Sequence, residues 1–427
     1  MSDRSPKKQF DELYLWFLAE PDQPRLVGTL NLVHGGNGVS LSYATPWLTS
    51  GFPLSEDLPL VDMLHLPRGR DVAAGAVDDA RPDRWGERVI QLIDQPKRLS
   101  LMEYLYFAGD DRFGALGVSL SSQEYLPHRV GALPRLEQAQ HLSEIVSKIN
   151  ARQPITAIEK HMMAAGGSFG GAKPKALIEI NGEQWVIKFI NNEPVDVPLI
   201  EHASMTLCRK ADINVAQTQL LRLSGENAIA VKRFDRSGSK RLHCISAGTA
   251  LRAAVHATEQ PDLGYPNLAQ LLRRTGNSAE GQNRREMVEL FRRMVFNILI
   301  DNTDDHEKNH SLQVTCEPAL KGSSFRVPQL RLAPAYDVLP TNSGQGYHEF
   351  GIGAQGREAT LSNAMSQCRL FGLTEKLAAE EVLKVIAVVD TWKDHFRACS
   401  VTDADIEELA LRIDGDDLLA QRRTFRH

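Results

Sequence analysis

Apolar and polar positions alternate through residues 11–33, DELYLWFLAEPDQPRLVGTLNLV, on either side of a Pro-containing turn, which predicts the two strands of a hairpin. HGGNGVSLSYA continues the pattern: its glycines make a turn, and Val39, Leu41 and Tyr43 alternate as a third strand. Between Arg68 and Asp110 the spacing becomes helical, and PDRWGERVIQLI sets Trp85, Val89 and Leu92 on one face, Trp85 as a core residue. FAGDDRFGALGVSL, a Gly-rich turn and a short strand, closes a small mixed region near residue 125, and LPHRVGALPRLEQAQ is a Pro-punctuated connection into a helix. Strands are expected again at ALIEI, GEQWVIKFI and NAIAVKRFDR, with a helix at PLIEHASMTL. The chain then turns mostly helical. GQNRREMVELFRRMVFNILI repeats apolar residues at 287, 288, 291, 294, 295 and 298, which leaves the arginine pairs 284/285 and 292/293 to its solvated side. QLRLAPAYDV reads as a strand carrying Asp337, and from Asn363 onward patterns such as EKLAAEEVLKVIAVVDTWKDHF indicate a closing helical cap. There are no internal repeats or low-complexity segments.

Composition limits the function classes. A chain of 427 residues, 42% hydrophobic and 24% charged, has room for two or three domains with a sizeable core. Its net charge of −5 and pI of about 6.2 give no overall pull toward nucleic acid or an anionic membrane, so DNA association would need a partner. The five cysteines are scattered, with no C-x-x-C pair and no His at metal-ligand spacing, which points to reduced, mostly buried thiols in a cytoplasm. No basic-then-apolar leader and no apolar run of membrane-spanning length is present, so no membrane association is expected.

The candidate chemistry lies in NILIDNTDDHEKN, residues 297–309, taken with Tyr336-Asp337-Val338. Asp304 and Asn309 stand at the Asp-to-Asn interval of a protein-kinase catalytic loop, and an isolated Asp follows a strand-like run as the metal-binding Asp of a kinase would. A hydroxyl attacking a γ-phosphate needs a carboxylate to orient it and accept its proton, a task that suits Asp304. Asn309 and Asp337 would supply oxygens to Mg²⁺, a hard cation that keeps several waters and needs few protein ligands. Lys308 could lie against the transferred phosphate. Alone, D-x-x-x-x-N is a short pattern that an acidic surface turn also produces.

Other stretches fit the same chemistry. In AAGGSFGGAKPKALIEI, glycines 166, 167, 170 and 171 surround Ser168, so a flexible loop through Gly170, Gly171 and Ala172 could bring backbone N–H groups to phosphate oxygens, with Lys173 or Lys175 adding charge. It is not a Walker A sequence. Lys188 in WVIKFI stands where a strand lysine reaches the α/β-phosphates, and Glu201 on the next helix could pair with a lysine of the sheet. Backbone groups near Lys232 and Phe234, at a hinge, would meet adenine.

GGSFGGAKPKALI, WVIKFI, VKRFDR, NTDDHEKN and AYDVLPT in that order, preceded by VGTL, PDRWGERV and GDDRFGAL, resemble the HipA family, serine/threonine kinases that are the toxins of bacterial HipBA-type modules. The resemblance covers nearly the whole chain. It implies an α+β, bilobal protein-kinase-like fold: a small mixed N-terminal subdomain over 1–130, a kinase N-lobe over 131–235, and a mainly helical C-lobe over 236–427. It implies ATP and Mg²⁺ as cofactors, Asp304 as catalytic base, Asn309 and Asp337 as metal ligands, and Lys188 as the nucleotide lysine. Ser168 matches a loop serine that family members phosphorylate on themselves, which silences them. The implied substrate is a translation-related protein, an aminoacyl-tRNA synthetase or similar. The implied partner is a HipB-like helix-turn-helix antitoxin that carries the toxin to operator DNA. Two features depart from the family: Lys232 replaces a common Glu, and CEPALKGSSF looks like an insertion ahead of Asp337. Antibiotic and sugar kinases use the same Asp-to-Asn interval, so a small-molecule kinase is the competing expectation. A non-catalytic binding protein is disfavoured by the joint presence of Asp304, Asn309, Asp337 and Lys188.

Overall fold

The alternating N-terminal segments form strands β1 (Glu12–Phe17), β2 (Arg25–Val33) and β3 (Gly38–Tyr43), antiparallel neighbours in one sheet. The computed structural model describes residues 10–128, 131–164, 173–190, 193–316, 328–341 and 343–426. Three more strands complete this sheet: β4 (Leu64–His65) on β3, β5 (Val72–Ala73) parallel to β3, and β6 (Leu116–Ser119) on β1. Leu13, Leu15, Leu30, Val39 and Leu41 are completely buried, so the sequence alternation is the packed side of the sheet. Gly28 is fixed by the ladder itself, because a Cβ there would sit 2.1 Å from the Ser42 carbonyl oxygen.

The chain divides into two compact units, Met1–Asn191 with Lys232–Ile245 and Val314–Pro328, and Asn192–Val231 with Ser246–Gln313 and Gln329–His427. In the first, helices α1 (Thr45–Ser50), α2 (Arg84–Ile93) and α3 (Leu101–Phe107) accompany the sheet. The Arg68–Asp110 region, expected to be helical, therefore also contains the short strand β5. Trp85 is core, as expected, and its indole N–H donates to the Lys175 carbonyl at 2.7 Å. Helices α4 (Ala139–Asn150) and α5 (Ala157–Ala164) lead to the hairpin β7 (Lys175–Ile180) and β8 (Glu183–Phe189), the two strands expected from ALIEI and GEQWVIKFI.

GDDRFGAL and VKRFDR, far apart in sequence, meet inside this unit. The Asp235 carboxylate accepts from Arg233 Nε at 2.9 Å and Nη2 at 2.7 Å, from Arg236 Nη1 at 2.9 Å, and from the Gly114 N–H at 2.8 Å. Arg233 also donates to the carbonyls of Asp111 and Arg112, and Arg112 closes on the carbonyls of Gly109, Ala80 and Leu105. Asp235, Arg233 and Arg112 are all buried. Burial alone would raise the Asp235 carboxyl, but Arg233 and Arg236 outweigh it and hold the group below the usual carboxylate range.

The second unit opens with α6 (Val197–Lys210), capped by Asp196, and the hairpin β9 (Thr218–Leu223) and β10 (Glu226–Lys232). Periodicity does not predict β9. Then come α7 (Ala247–Ala253), α8 (Tyr265–Thr275), α9 (Gln282–Leu299), α10 (Leu361–Ser366), α11 (Glu375–Val389), α12 (Trp392–Ala398), α13 (Asp403–Ile413) and α14 (Asp416–Thr424), of which α11 to α14 are the helical cap expected after Asn363. Among the described residues no helix is long and apolar enough to cross a membrane.

Two expectations are corrected here. The 292/293 pair is not on a solvated side: Arg293 is buried, donating to Glu289, Asn214 and the Ala333 carbonyl, and half-buried Arg292 pairs with Glu381. Their guanidinium groups reach polar partners on other segments, which periodicity cannot register. Arg284 and Arg285 are exposed, as expected. Nor does Asp337 lie in a strand. The strand stops at Leu332, and Asp337 follows in a left-handed conformation, φ 58°.

Candidate functional site

Helix α9 delivers the candidate loop, and the loop is tied back at once. The Asn302 N–H donates to the Asn297 carbonyl at 2.9 Å, and the Asn302 amide to Asn297 Oδ1 at 3.2 Å. Asn297 in turn donates to the Tyr265 hydroxyl at 2.9 Å. Asp301 turns the chain with φ 59°, a conformation that Asp tolerates better than most residues.

The loop's next residues divide by exposure. Asp304 and Lys308 are exposed, while Asp305, Asn309 and His310 are buried. The Asp305 carboxylate accepts from the Tyr265 hydroxyl and lies 3.1 Å from His310 Nε2; its carbonyl accepts the Phe350 N–H at 2.9 Å. Burial would raise this acid, yet His310 and Tyr265 stabilise its anion and bring it below the ordinary carboxylate range. Asp305 thus anchors the loop under its neighbour, which is left facing solvent. Spacing alone missed this division of labour between the two aspartates.

Two hydroxyls join the loop to the segment around Asp337. Thr341 Oγ1 accepts from the N–H groups of Thr303 (2.7 Å) and Asp304 (3.3 Å) and donates to the Asp301 carbonyl at 3.0 Å. The Tyr336 hydroxyl sits 2.6 Å from both the Lys308 carbonyl and the Ser311 hydroxyl. Asn309 and Asp337 are each one residue from that second joint. The loop carrying Asp304 and Asn309 is therefore joined at two points to the segment carrying Asp337. Replacing Thr341 by Val is expected to leave the thermal midpoint in place and to lower turnover by about tenfold or more, because the Asp304 backbone loses its anchor while no core residue changes. Parallel melting and rate measurements test this; equal losses in both would show a structural role only.

The donor set suits a hard cation. Asn309 spends its amide N–H on the Asp304 carbonyl at 3.3 Å, and its Oδ1 accepts no hydrogen bond from a described residue. Among the described residues no cluster of three or more His, Cys, Asp or Glu forms a metal cage. One amide oxygen and one carboxylate fit Mg²⁺, which retains waters.

In the first unit, β7 and β8 pair Lys175 directly with Lys188. Directly paired residues of antiparallel strands share one face, so both lysines belong to the same side of the hairpin. Ser168, Gly170, Gly171 and Ala172 lie outside the described residues, as does most of CEPALKGSSF. Lys232 is half-buried and pairs with Glu183, and Phe234 packs edge-on against Phe113 at 6.1 Å. Glu201 is buried on α6. One spacing went unnoticed in the sequence: His395 and Cys399 are one helical turn apart, with Sγ 3.7 Å from Nε2.

This fold is that of a HipA protein. The chain is similar over 97% of its length, and 97% of the other's, to a chain of the Shewanella oneidensis MR-1 toxin–antitoxin complex of HipA, HipB and operator DNA, at TM-score 0.65 and 15% identity. Residues 167–392, more than half of the chain, match the HipA-like C-terminal domain, and the chain belongs to that family. A curated relative, the protein named "Putative kinase Y4dM" of Sinorhizobium fredii (strain NBRC 101917 / NGR234), is 31% identical over 176 residues. The match covers 38% of this chain and about two fifths of the relative.

Proposed function

We propose that this chain is an ATP-dependent serine/threonine-protein kinase and the toxin of a type II toxin–antitoxin module. The observation that supports the reading is the double joint through Thr341 and Tyr336, which ties the loop carrying Asp304 and Asn309 to the segment carrying Asp337. Asp304, exposed on a loop held by Asp305, orients the substrate hydroxyl and takes its proton. Asn309 and Asp337 hold the cation, and Lys188, Lys175 and the 170–172 loop hold phosphate oxygens. Backbone groups near Lys232 and Phe234 receive the base. When bound, ATP supplies the phosphoryl group and Mg²⁺ neutralises charge developing on it.

The three-part division 1–130, 131–235 and 236–427 belongs to this proposal, as does a translation-related protein substrate such as an aminoacyl-tRNA synthetase. The Shewanella HipA is found with HipB and operator DNA, which supports a helix-turn-helix antitoxin as partner here. Phosphorylation of Ser168 would place about −1.5 to −2 charge among groups meant for ATP's phosphates, and so would silence the enzyme. Intact mass and peptide mapping after incubation with ATP and Mg²⁺, on wild type and Ser168→Ala, test the reading. A phosphate on Ser168 that is absent from Ser168→Ala supports it. No incorporation into protein that starts unphosphorylated, together with turnover on an aminoglycoside or sugar, would replace it with a small-molecule kinase.

A further inference from the structure

A cavity of about 520 Å³ in the second unit lies at the end of α9 remote from the candidate loop. Arg273, Arg284 and Arg369 line it over an apolar floor of Met287 and Leu373, with Thr374, the cap of α11, at its edge. With α9 eighteen residues long, the cavity is about 25 Å from the loop. It is a separate place from the site described above.

Its electrostatics are one-sided. Arg369 has a carboxylate partner, Glu375, in a pair that is mostly exposed and therefore weak. Among the described residues none offers an ion-pair partner to the Arg273 or Arg284 side chain. Arg273, in the last turn of α8, complements that helix's dipole, but Arg284 stands in the first turn of α9, where a cation opposes the dipole. That turn carries no acidic residue and no side-chain cap. The ends of the two helices are nevertheless fixed: Asn283 donates its side-chain amide to the Arg273 carbonyl at 3.3 Å and accepts the Arg284 N–H at 2.8 Å. Three guanidinium groups thus converge on a held cavity at a local electrostatic cost. An anion would reverse that cost.

We infer that this cavity binds a small soluble polyphosphate-bearing ligand. Guanidinium groups grip phosphate oxygens in bidentate fashion, and the volume falls in the range of small-molecule sites. A concave site with a buried apolar floor suits such a ligand better than the backbone of a duplex, which needs an extended surface.

The test is calorimetric titration of the full chain with sodium tripolyphosphate without Mg²⁺, using wild type, Arg273→Ala/Arg284→Ala and Lys188→Ala. Both arginines are exposed, so the double variant should keep the wild-type melting midpoint. The expected result is binding to wild type and Lys188→Ala, weakened at least about tenfold in the double arginine variant, with Arg273→Lys/Arg284→Lys intermediate. Three results would overturn the inference: no binding to wild type, binding lost only in Lys188→Ala, or tight binding of a short DNA duplex with none of tripolyphosphate. Loss confined to Lys188→Ala would assign the anion to the nucleotide site and leave the proposed kinase reading intact.

Discussion

Replacing Asp304 by Asn is expected to lower phosphate transfer by at least ~10²-fold while the melting midpoint stays within error, since a general base contributes on that order. The structure separates this residue's chemistry from its architecture. Its backbone N–H is held by Thr341 and its carbonyl receives Asn309, and both contacts survive the substitution, while its exposed side chain loses its charge and basicity. Asp305→Asn provides the contrast. That buried carboxylate receives Tyr265 and His310, so its loss should lower both stability and activity. Single-turnover transfer from labelled ATP, read beside thermal melting, distinguishes the two. If Asp304→Asn keeps wild-type turnover, the base must be sought elsewhere and the phosphoryl-transfer reading loses its centre.

Asp235→Ala should be the most destabilising single change outside the candidate site, by about 3–5 kcal/mol. It strands Arg233 and Arg236 inside the first unit, where burial and mutual repulsion already pull Arg236 down to about 9. Set against a typical 5–15 kcal/mol of total stability, such a loss takes much of the margin. The pH dependence has a definite sign. The folded carboxyl lies below its unfolded value, so its stabilising effect is complete above the unfolded value, near 4, and disappears as pH falls through the folded one. Urea unfolding at neutral and acid pH therefore should show the gap between wild type and Asp235→Ala narrowing in acid. Asp235→Leu combined with Arg233→Met, which removes charge on both sides, should recover part of the loss. A single alanine variant as stable as wild type would show that the cluster contributes nothing net.

Much of the fold was legible because it rests on local periodicity. Strands β1–β3, β7, β8 and β10 follow the alternation of residues such as Leu13, Leu15 and Ile187, and α9 follows its apolar stripe at Met287, Phe291, Met294 and Ile298. The Asp304-to-Asn309 interval was readable for the same reason: a loop's ligand spacing is fixed by a few consecutive bonds. Family membership was legible in the order of the motifs, and the match over residues 167–392 establishes it.

What the sequence could not supply were relationships across long separations. Nothing in GDDRFGAL states that its backbone will receive Arg233 and Arg236, and nothing in LFRRMV states that Arg293 is buried against Ala333. Polar partners hundreds of atoms away along the chain decide whether a charge is solvated or internal, and hydropathy treats both alike. Thr341 is the sharpest instance: an ordinary threonine in sequence, it holds the Asp304 backbone only because the chain returns there. The sequence by itself determined the strands, the helices and the chemical identity of the candidate residues, since these depend on neighbours a few positions apart. The tertiary structure alone decided which aspartate anchors and which faces solvent, where Asp337 stands, and which arginines meet at a cavity, because closure of the chain sets those distances.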